Sequence, residues 1–445
     1  MARPTTGERD KKRAIALAGG GPAAGLHIGA LDALRRQGIQ FDVWSLSCIG
    51  AWVGIHYHQC LDADPAAKTY AFFEEHAFRD TASYNGFPVN KAFAPNFEAY
   101  AQAWAQHATS PQTWADVFNV VTELPGAGER WLQFLSSPQK WLRAGDRNAH
   151  LLNNVLALHP ASRFMTSMAY LSGINGLSNI YYPDSSLLEM IDIRSLDLVG
   201  VPGIDEMSRA ELDEMVAHFR AHGWAGLPLN DRAVPEIYHN AYRLRDDQRP
   251  GHAARLQLFN NKWIEYRSGT RLRGGKPGPR RDYLPISAPS LCACSALPYI
   301  EQTVKIPNDD GCEYSEGALI DTVSFRNLVE DHPDLDEIWV CRIVDYQQVR
   351  LQRNLHDSLG NLCQQFAAEV GQNDIALFKS HLRKSAGRVP RVVEIPLDVA
   401  TMVDYRWDHE NLKVGFNEGR KAVELLLARQ PELLSATTPA PAWHD

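Results

Sequence analysis

Apolar residues in the first part of the chain form two kinds of pattern, short continuous runs and helical spacing. The run at 14–18 predicts a buried strand, and residues 25–37 predict a helix that ends at Gly38. The apolar positions at helical spacing are Leu26, Ile28, Leu31 and Leu34. FDVWSLS (41–47) predicts a second strand, and a second helix is expected from about 49 to 60. This order of elements predicts a βαβ unit with a parallel sheet.

A similar α/β pattern returns after Pro235. The runs that predict strands are EIYHNAYRL (236–244), ARLQLFN (254–260), EYSEGALID (313–321), EIWVCRIVD (337–345) and RVVEIPLD (391–398). A short helix leading into a strand is expected in the segment that begins at Leu291, a long helical region over 345–383, and a closing helix over 411–430.

The middle of the chain differs in character. Residues 65–235 are rich in Trp, Phe, Tyr and Asn and contain few strand patterns, which predicts a mostly helical insertion, or cap. Its aromatic residues either pack the cap onto the sheet or line an acyl-chain groove or lipid-docking surface. We expect one domain over residues 12–430 and a disordered tail over 431–445.

Composition narrows the possible functions. The net charge of −8 gives no basic surface for nucleic acid, and the seven scattered cysteines lack the spacing of a zinc site. The N-terminal apolar stretch is too short for a signal peptide, and no apolar run is long enough to span a membrane. We therefore expect a reduced, cytoplasmic protein without a metal or another cofactor.

The first candidate for chemistry is the loop GGGPAAG (19–25), between the first strand and the first helix. Its glycines permit a close backbone approach, and the helix start supplies unpaired N–H groups. Such a loop can hold a phosphate or the oxyanion of an acyl-transfer intermediate, or it can simply be a tight turn. It has neither the G-x-G-x-x-G pattern nor the lysine of a P-loop.

The second candidate is LSCIGA (46–51), between the second strand and its helix. A nucleophile elbow holds its nucleophile in a strained turn, with small residues two positions before and after it. Cys48 fits this pattern at Gly50 but not at Leu46. With Ser47 as nucleophile, Ile49 would occupy the place of the second glycine, so Cys48 fits better. The alternative for Cys48 is a buried structural thiol.

The third candidate is SEGA (315–318), at the end of a predicted strand. An acid followed by two small residues at this position can point into a cleft, so Glu316 is a candidate general base. The alternative is an ordinary carboxylate in a turn.

The three motifs, in this order, resemble those of the patatin-like phospholipase family. ACSALP (293–298) is similar to the A-S-x-A-x-P segment of that family, and GLHIGALDAL (25–34) to its first helix. The resemblance extends over residues 12–60 and 235–430. It implies a three-layer α/β fold with a mainly parallel central sheet and a large, mostly helical insertion.

The resemblance also implies a site. The implied residues are the dyad Cys48 and Glu316, the oxyanion-hole residues Gly19, Gly20 and Gly21, and the elbow residues Ser47 and Gly50. Cys48 replaces the serine of the family and Glu316 its aspartate. Because the family uses a dyad, no histidine is required, and His27, His56 and His58 are expected to have packing roles.

The function implied is that of an acyl hydrolase or acyltransferase acting on lipid esters or other acyl esters and thioesters. The partners expected are an acyl lipid or small-molecule ester, with peripheral lipid contact but no nucleic acid. The two substitutions in the dyad leave a second hypothesis, a catalytically inactive binding or regulatory protein of the same fold. Serine chemistry through Ser47 and nucleotide binding by the glycine loop are further alternatives.

Overall fold

The computed structural model describes residues 8–60, 64–78, 203–225, 235–246, 253–273, 276–298, 303–342, 349, 351, 355–384, 389–396 and 408–439. Helices and strands are numbered in chain order within these residues. The strands are β1 (Glu8–Asp10), β2 (Arg13–Leu17), β3 (Val43–Leu46), β4 (Glu236–Arg243), β5 (Arg255–Asn260), β6 (Leu272–Arg273), β7 (Lys276–Pro277), β8 (Val304–Ile306), β9 (Cys312–Glu316), β10 (Glu337–Cys341), β11 (Arg391–Glu394) and β12 (Thr437–Pro439). The helices are α1 (Ala24–Arg36), α2 (Ile49–Gln59), α3 (Pro65–Phe72), α4 (Arg209–His222), α5 (Trp263–Ser268), α6 (Ala288–Cys294), α7 (Phe325–Asp331), α8 (Leu355–Lys384) and α9 (His409–Arg429).

A central sheet of eight strands has the order β11-β10-β2-β3-β4-β9-β8, with β5 also paired to β4. The strands from β11 to β4 are parallel, whereas β5, β9 and β8 extend the sheet in antiparallel pairs. Strands β2, β3 and β10 are buried throughout, in agreement with their continuous apolar sequences. The expected mainly parallel α/β sheet is therefore confirmed.

Helices cover both faces of the sheet. The β2–β3 and β10–β11 connections run in opposite directions along the sheet, so right-handed crossovers place α1 and α8 on opposite faces. α1 packs against α2, α3 and α9, while α7 contacts α8 and β3. The carboxyl ends of β2 and β3 lead through short turns into α1 and α2, which brings both predicted motifs to one edge of the sheet.

The contact between α1 and α9 is unusually close because glycines face backbone on both helices. A Cβ at Gly25 would lie 2.3 Å from the carbonyl oxygen of Leu412, and a Cβ at Gly419 would lie 2.2 Å from that of Leu26. The amide of Asn411, at the start of α9, also donates to the carbonyl of Pro22 in the glycine loop. The last long helix therefore supports the loop that opens α1.

Two expectations fall near or beyond the limits of the described residues. Most of the predicted insertion, over 79–202, lies outside them, and its flanks contain α3, a π-helical turn at Phe73–Ala77, and α4. The prediction of a disordered tail from residue 431 is wrong as far as Pro439, because a 3-10 turn at Pro431–Leu434 leads into β12, which pairs with β1. Within the described residues, none of the helices has the length and apolar character needed to traverse a lipid bilayer.

Candidate active site

Cys48 occupies a strained turn between β3 and α2. Its backbone dihedral angles are φ 49° and ψ −124°, and it lies at the N-terminal boundary of α2. Among the described residues, Asp310 is the other non-glycine residue with positive φ. A buried non-glycine residue in this region of φ/ψ space costs free energy and is typical of functional sites. The local geometry is therefore that of the predicted elbow.

Gly50 is required by the close approach of α2 to the end of β2. A Cβ at Gly50 would lie 2.4 Å from the carbonyl oxygen of Leu17. The same carbonyl accepts a hydrogen bond from the backbone N–H of Ser47 at 3.0 Å. The small residue expected after the nucleophile thus has a direct steric reason.

Leu46, which departs from the small-residue pattern before the nucleophile, is accommodated by Gly54 of α2. Leu46 is buried, and a Cβ at Gly54 would lie 2.7 Å from its Cδ2 atom. The sequence carries a signal for this contact, since an isolated glycine inside an apolar helix often marks a close approach. The missing small residue on β3 is thus compensated one helical turn beyond the elbow.

Glu316 ends β9, and its carboxyl group lies close enough to Cys48 to raise the pKa of the thiol. Gly19 lies between the two, because a Cβ there would be 3.1 Å from Cβ of Cys48 and 3.8 Å from Oε1 of Glu316. That Cβ would also lie 3.1 Å from Cβ of Ala318. The structure therefore brings the glycine loop, the elbow and the acid motif together. The lack of a side chain at Gly19 leaves room for Cys48, Glu316 and Ala318.

Burial determines the protonation of this pair. Removal from water, then the nearby Glu316 carboxylate, raises the pKa of the Cys48 thiol well above its ordinary value. Burial also raises the pKa of Glu316 to about 7, although the adjacent Cys48 thiol opposes this rise. Oε2 of Glu316 is buried without a hydrogen-bond partner. Near neutral pH the pair therefore consists of a neutral thiol beside a carboxyl group that holds its proton more strongly than an ordinary glutamate.

The backbone around the thiol supplies hydrogen-bond donors. The backbone N–H of Ile49 favours the thiolate form of Cys48 and so lowers the pKa of the thiol, although burial has the larger, opposite effect. The loop at Gly19, Gly20 and Gly21 follows β2, continues into a 3-10 turn and then opens α1. Within the described part of the chain, no acceptor is bonded to the N–H groups of these three glycines. These N–H groups are therefore available to a hydrogen-bond acceptor at the carboxyl end of β2.

Sequence reasoning did not identify two residues that support the segments carrying Cys48 and Glu316. The thiol of Cys294 on α6 donates to the carbonyl of Leu291 at 3.0 Å, and its sulfur lies 3.7 Å from the carbonyl oxygen of Cys48. Asn240 on β4 is fully buried, and its amide donates to the carbonyl of Asp321 at 2.7 Å. Asn240 thus holds the loop that follows Glu316, and no local pattern in the sequence indicates that contact.

Ser47, His27 and His56, which the sequence analysis also considered, make packing or hydrogen-bond contacts within the protein. The hydroxyl of Ser47 is buried and donates to the carbonyl of Asp321 at 3.5 Å, which links the elbow to the loop after Glu316. His27 is buried between the carbonyl of Ala18 and the sulfur of Cys341, and His56 stacks on Phe72. Within the described residues, no group of three or more His, Cys, Asp or Glu side chains is arranged to hold a metal ion.

Comparisons with known proteins agree with the motifs. A family model described as "Patatin-like phospholipase" matches residues 15–329. Among solved structures, VipD from Legionella pneumophila is similar with a TM-score of 0.36 and 12% identity, over 95% of this chain and 67% of that chain. None of the curated proteins matches. Since the family match spans most of the chain and includes the glycine loop, the elbow and β9, this chain belongs to the patatin-like phospholipase family, whose members are generally lipid acyl hydrolases.

Proposed function

We propose that the protein hydrolyses acyl esters of lipids through a dyad of Cys48 and Glu316. The observation that carries the proposal is the buried juxtaposition of the Cys48 thiol, in a strained strand-to-helix turn, with the Glu316 carboxyl group, on either side of Gly19, together with a pKa of Glu316 that burial raises to about 7. A general base works best when its pKa lies near the operating pH. A thiol also needs less activation than a hydroxyl, because its ordinary pKa is lower.

In the first half-reaction, the ionised Glu316 accepts the proton of the Cys48 thiol as the sulfur attacks the carbonyl carbon of the ester. A carbon–sulfur bond forms, and the negative charge develops on the former carbonyl oxygen. The N–H groups of Gly20 and Gly21 stabilise that oxyanion. The carbon–oxygen bond then breaks, and Glu316 gives its proton to the leaving alcohol.

In the second half-reaction, Glu316 accepts a proton from water as the water oxygen attacks the acyl-thioester on Cys48. The carbon–sulfur bond breaks, the carboxylic acid is released, and the proton returns to the sulfur. An alcohol in place of water would make the same sequence an acyl transfer. Because the resting thiol is neutral, its proton transfer and its attack on carbon must be closely coupled.

A non-catalytic patatin-like protein is the second candidate. The observation that favours it is burial, since Cys48 and Glu316 are only 8% and 6% exposed and the thiol pKa is raised. A raised thiol pKa lowers the fraction of nucleophilic thiolate at neutral pH. In this candidate the fold would bind an acyl ligand without turning it over.

The test uses the full-length protein with p-nitrophenyl and thioester substrates of increasing acyl length. We expect turnover by the wild type, loss of at least about 100-fold in Cys48→Ala, and little change in the control Cys60→Ala. Intact mass spectrometry with peptide mapping should find an acyl group on Cys48. Unchanged turnover in Cys48→Ala would overturn the dyad, and absence of turnover in the wild type with every substrate would favour the non-catalytic candidate.

A further inference from the structure

The acid loop, residues 317–324, joins the end of β9 to α7. The carbonyl of Gly317 accepts from the backbone N–H of Asp321 at 3.0 Å. The hydroxyl of Thr322 donates to the carbonyl of Ala318 at 2.6 Å. The first part of the loop is therefore closed by its own hydrogen bonds, so a displacement of its later residues would also displace the end of β9.

Asp374, on α8, binds two successive backbone donors of the acid loop. Its Oδ2 accepts from the N–H of Thr322 at 3.0 Å and from the N–H of Val323 at 3.1 Å. Both loop residues are buried, and buried N–H groups need an acceptor. Burial, and then the nearby Asp321 carboxylate, raises the pKa of Asp374 to about 6, while the two N–H groups oppose this rise. A single carboxyl group thus holds the part of the loop that precedes α7.

The helix that carries Asp374 is itself well supported. Phe378, one turn further along α8, stacks on Phe325 of α7, with ring centroids 4.2 Å apart and planes inclined by 3°. α8 also lies against Arg342, the residue after β10, because a Cβ at Gly371 would be 3.0 Å from its Cδ. Groups on such rigid elements can be held more precisely than groups on loops.

Strand β4 limits the movement of the acid loop as well. A Cβ at Gly317 would lie 2.5 Å from Oδ1 of Asn240 and 2.9 Å from Cα of Ala241. The amide of Asn240 holds the carbonyl of Asp321, as described above. The loop is therefore fixed by β4 at its start and by α8 at its end.

We propose that Asp374 is a positioning residue for the dyad. By holding the acid loop, it keeps the carboxyl group of Glu316 beside Cys48. Asp374 lies beyond residues 15–329, which match the family model, so the match assigns it no role. Its effect on turnover rests on the proposed function, whereas its effect on the surroundings of Glu316 does not.

Steady-state kinetics of the full-length protein with p-nitrophenyl and thioester substrates give the first test. Asp374→Ala should lower kcat about 10-fold to 100-fold with little change in KM, because a small misplacement of a catalytic group is costly. Asp374→Asn, which keeps an acceptor oxygen, should recover most of this loss. The control Glu369→Ala, which removes an exposed carboxylate from the same helix, should behave like the wild type.

A second measurement does not require turnover. With ¹³C-labelled glutamate carboxyl groups, the signal of Glu316, assigned by its loss in Glu316→Gln, should titrate in the wild type with a pKa of about 7. In Asp374→Ala the displaced carboxyl group meets water, so its pKa should fall toward the ordinary value of 4.5. Asp374→Asn removes the same charge but keeps the loop in place, so the pKa of Glu316 should stay close to the wild-type value.

Together the two measurements separate the positioning role from the proposed function. Circular dichroism confirms folding, and Asp374→Leu, which keeps the branched shape without an acceptor, replaces Asp374→Ala if that variant does not fold. No turnover by the wild type, with a Glu316 pKa that still falls in Asp374→Ala, would refute the proposed function and support the positioning role. A Glu316 pKa that is unchanged in Asp374→Ala, or a kcat equal to that of an active wild type, would overturn the positioning role.

Discussion

The side chain of Leu46 fills the space that a side chain at Gly54 would need, with 2.7 Å between Cδ2 of Leu46 and a Cβ at Gly54. The two residues belong to β3 and α2, on either side of Cys48. A bulky residue two positions before Cys48 is therefore tolerated because α2 has no side chain at Gly54. The usual elbow pattern avoids crowding with one small residue before the nucleophile. In this chain the pair Leu46 and Gly54 serves the same purpose.

The contact between Leu46 and Gly54 predicts that Gly54→Ala has opposite effects on stability in the wild type and in a Leu46→Ala background. In the wild type, Gly54→Ala should destabilise the protein by about 1–3 kcal/mol because the new methyl group overpacks the core. In a Leu46→Ala background the same change should stabilise by up to about 1 kcal/mol, because alanine is the better helix former. Urea denaturation of the wild type, the two single variants and the double variant measures the coupling free energy between the two positions. Equal effects of Gly54→Ala in both backgrounds would contradict it.

Strain at Cys48 predicts that glycine is tolerated there better than alanine. The φ of 49° and ψ of −124° are costly for a residue with a Cβ. We expect Cys48→Gly to be more stable than Cys48→Ala by about 1 kcal/mol, after allowing for the greater freedom of glycine in the unfolded chain. The control Ala51→Gly, in the unstrained first turn of α2, should lose about 1 kcal/mol. Thermal unfolding of all three variants tests the difference, and a less stable Cys48→Gly would count against strain.

The pKa of Glu316 predicts the pH dependence of hydrolysis. The base must be ionised to accept the thiol proton, so kcat/KM should rise with pH through about 7 and level off above it. Glu316→Gln should lose this dependence together with about 100-fold to 10,000-fold in activity. Glu316→Asp, which restores the acid of the family, tests whether the longer side chain suits the larger sulfur atom. A rate that is independent of pH between 5 and 8 would exclude Glu316 as the base.

The same pKa predicts a stability cost of the ionised site. The folded-state pKa of Glu316 is raised from 4.5 to about 7, so between these values the folded protein retains a proton that the unfolded chain has released. The stability due to Glu316 is therefore fully present below pH 4.5 and decreases as the pH rises through about 7, by up to about 3 kcal/mol.

Glu316→Gln removes this loss of stability at high pH, because glutamine does not ionise. Relative to the wild type, its free energy of unfolding should increase by about 2–3 kcal/mol between pH 5 and pH 8. Glu313→Gln, on the same strand with an exposed side chain, is the control and should show no such trend. Parallel stability curves for the wild type and Glu316→Gln across this range would show that Glu316 is not held in the protonated form.

Local patterns predicted the elements that carry the site. The buried strands β2, β3 and β10 have continuous apolar sequences, and α1 and α9 have helical spacing, so each could be identified from its own segment. The resemblance of the three motifs, in their order, to those of the patatin-like family then implied that Cys48 and Glu316 would meet. Their meeting follows from the sheet topology, which brings the ends of β3 and β9 to one edge.

Contacts between distant segments could not be predicted in this way. The position of Cys294 beside Cys48 depends on how α6 packs, and the pairing of β12 with β1 joins segments from opposite ends of the chain. The tail was misjudged because its sequence has no periodic pattern, and Thr437–Pro439 becomes a strand only through its partner. Likewise, the burial that sets the pKa of Glu316 is a property of the assembled core.

The glycine-mediated crossing of α1 and α9 also bears on how shortened versions of this protein should be designed. The family match ends at residue 329, whereas α9 begins at His409. An expression boundary placed at the end of the match would remove the helix whose backbone lies against Gly25 and whose Asn411 holds Pro22. Such a fragment would keep every motif residue and still lose the support of its glycine loop. Truncations intended to preserve activity should therefore retain the chain through α9.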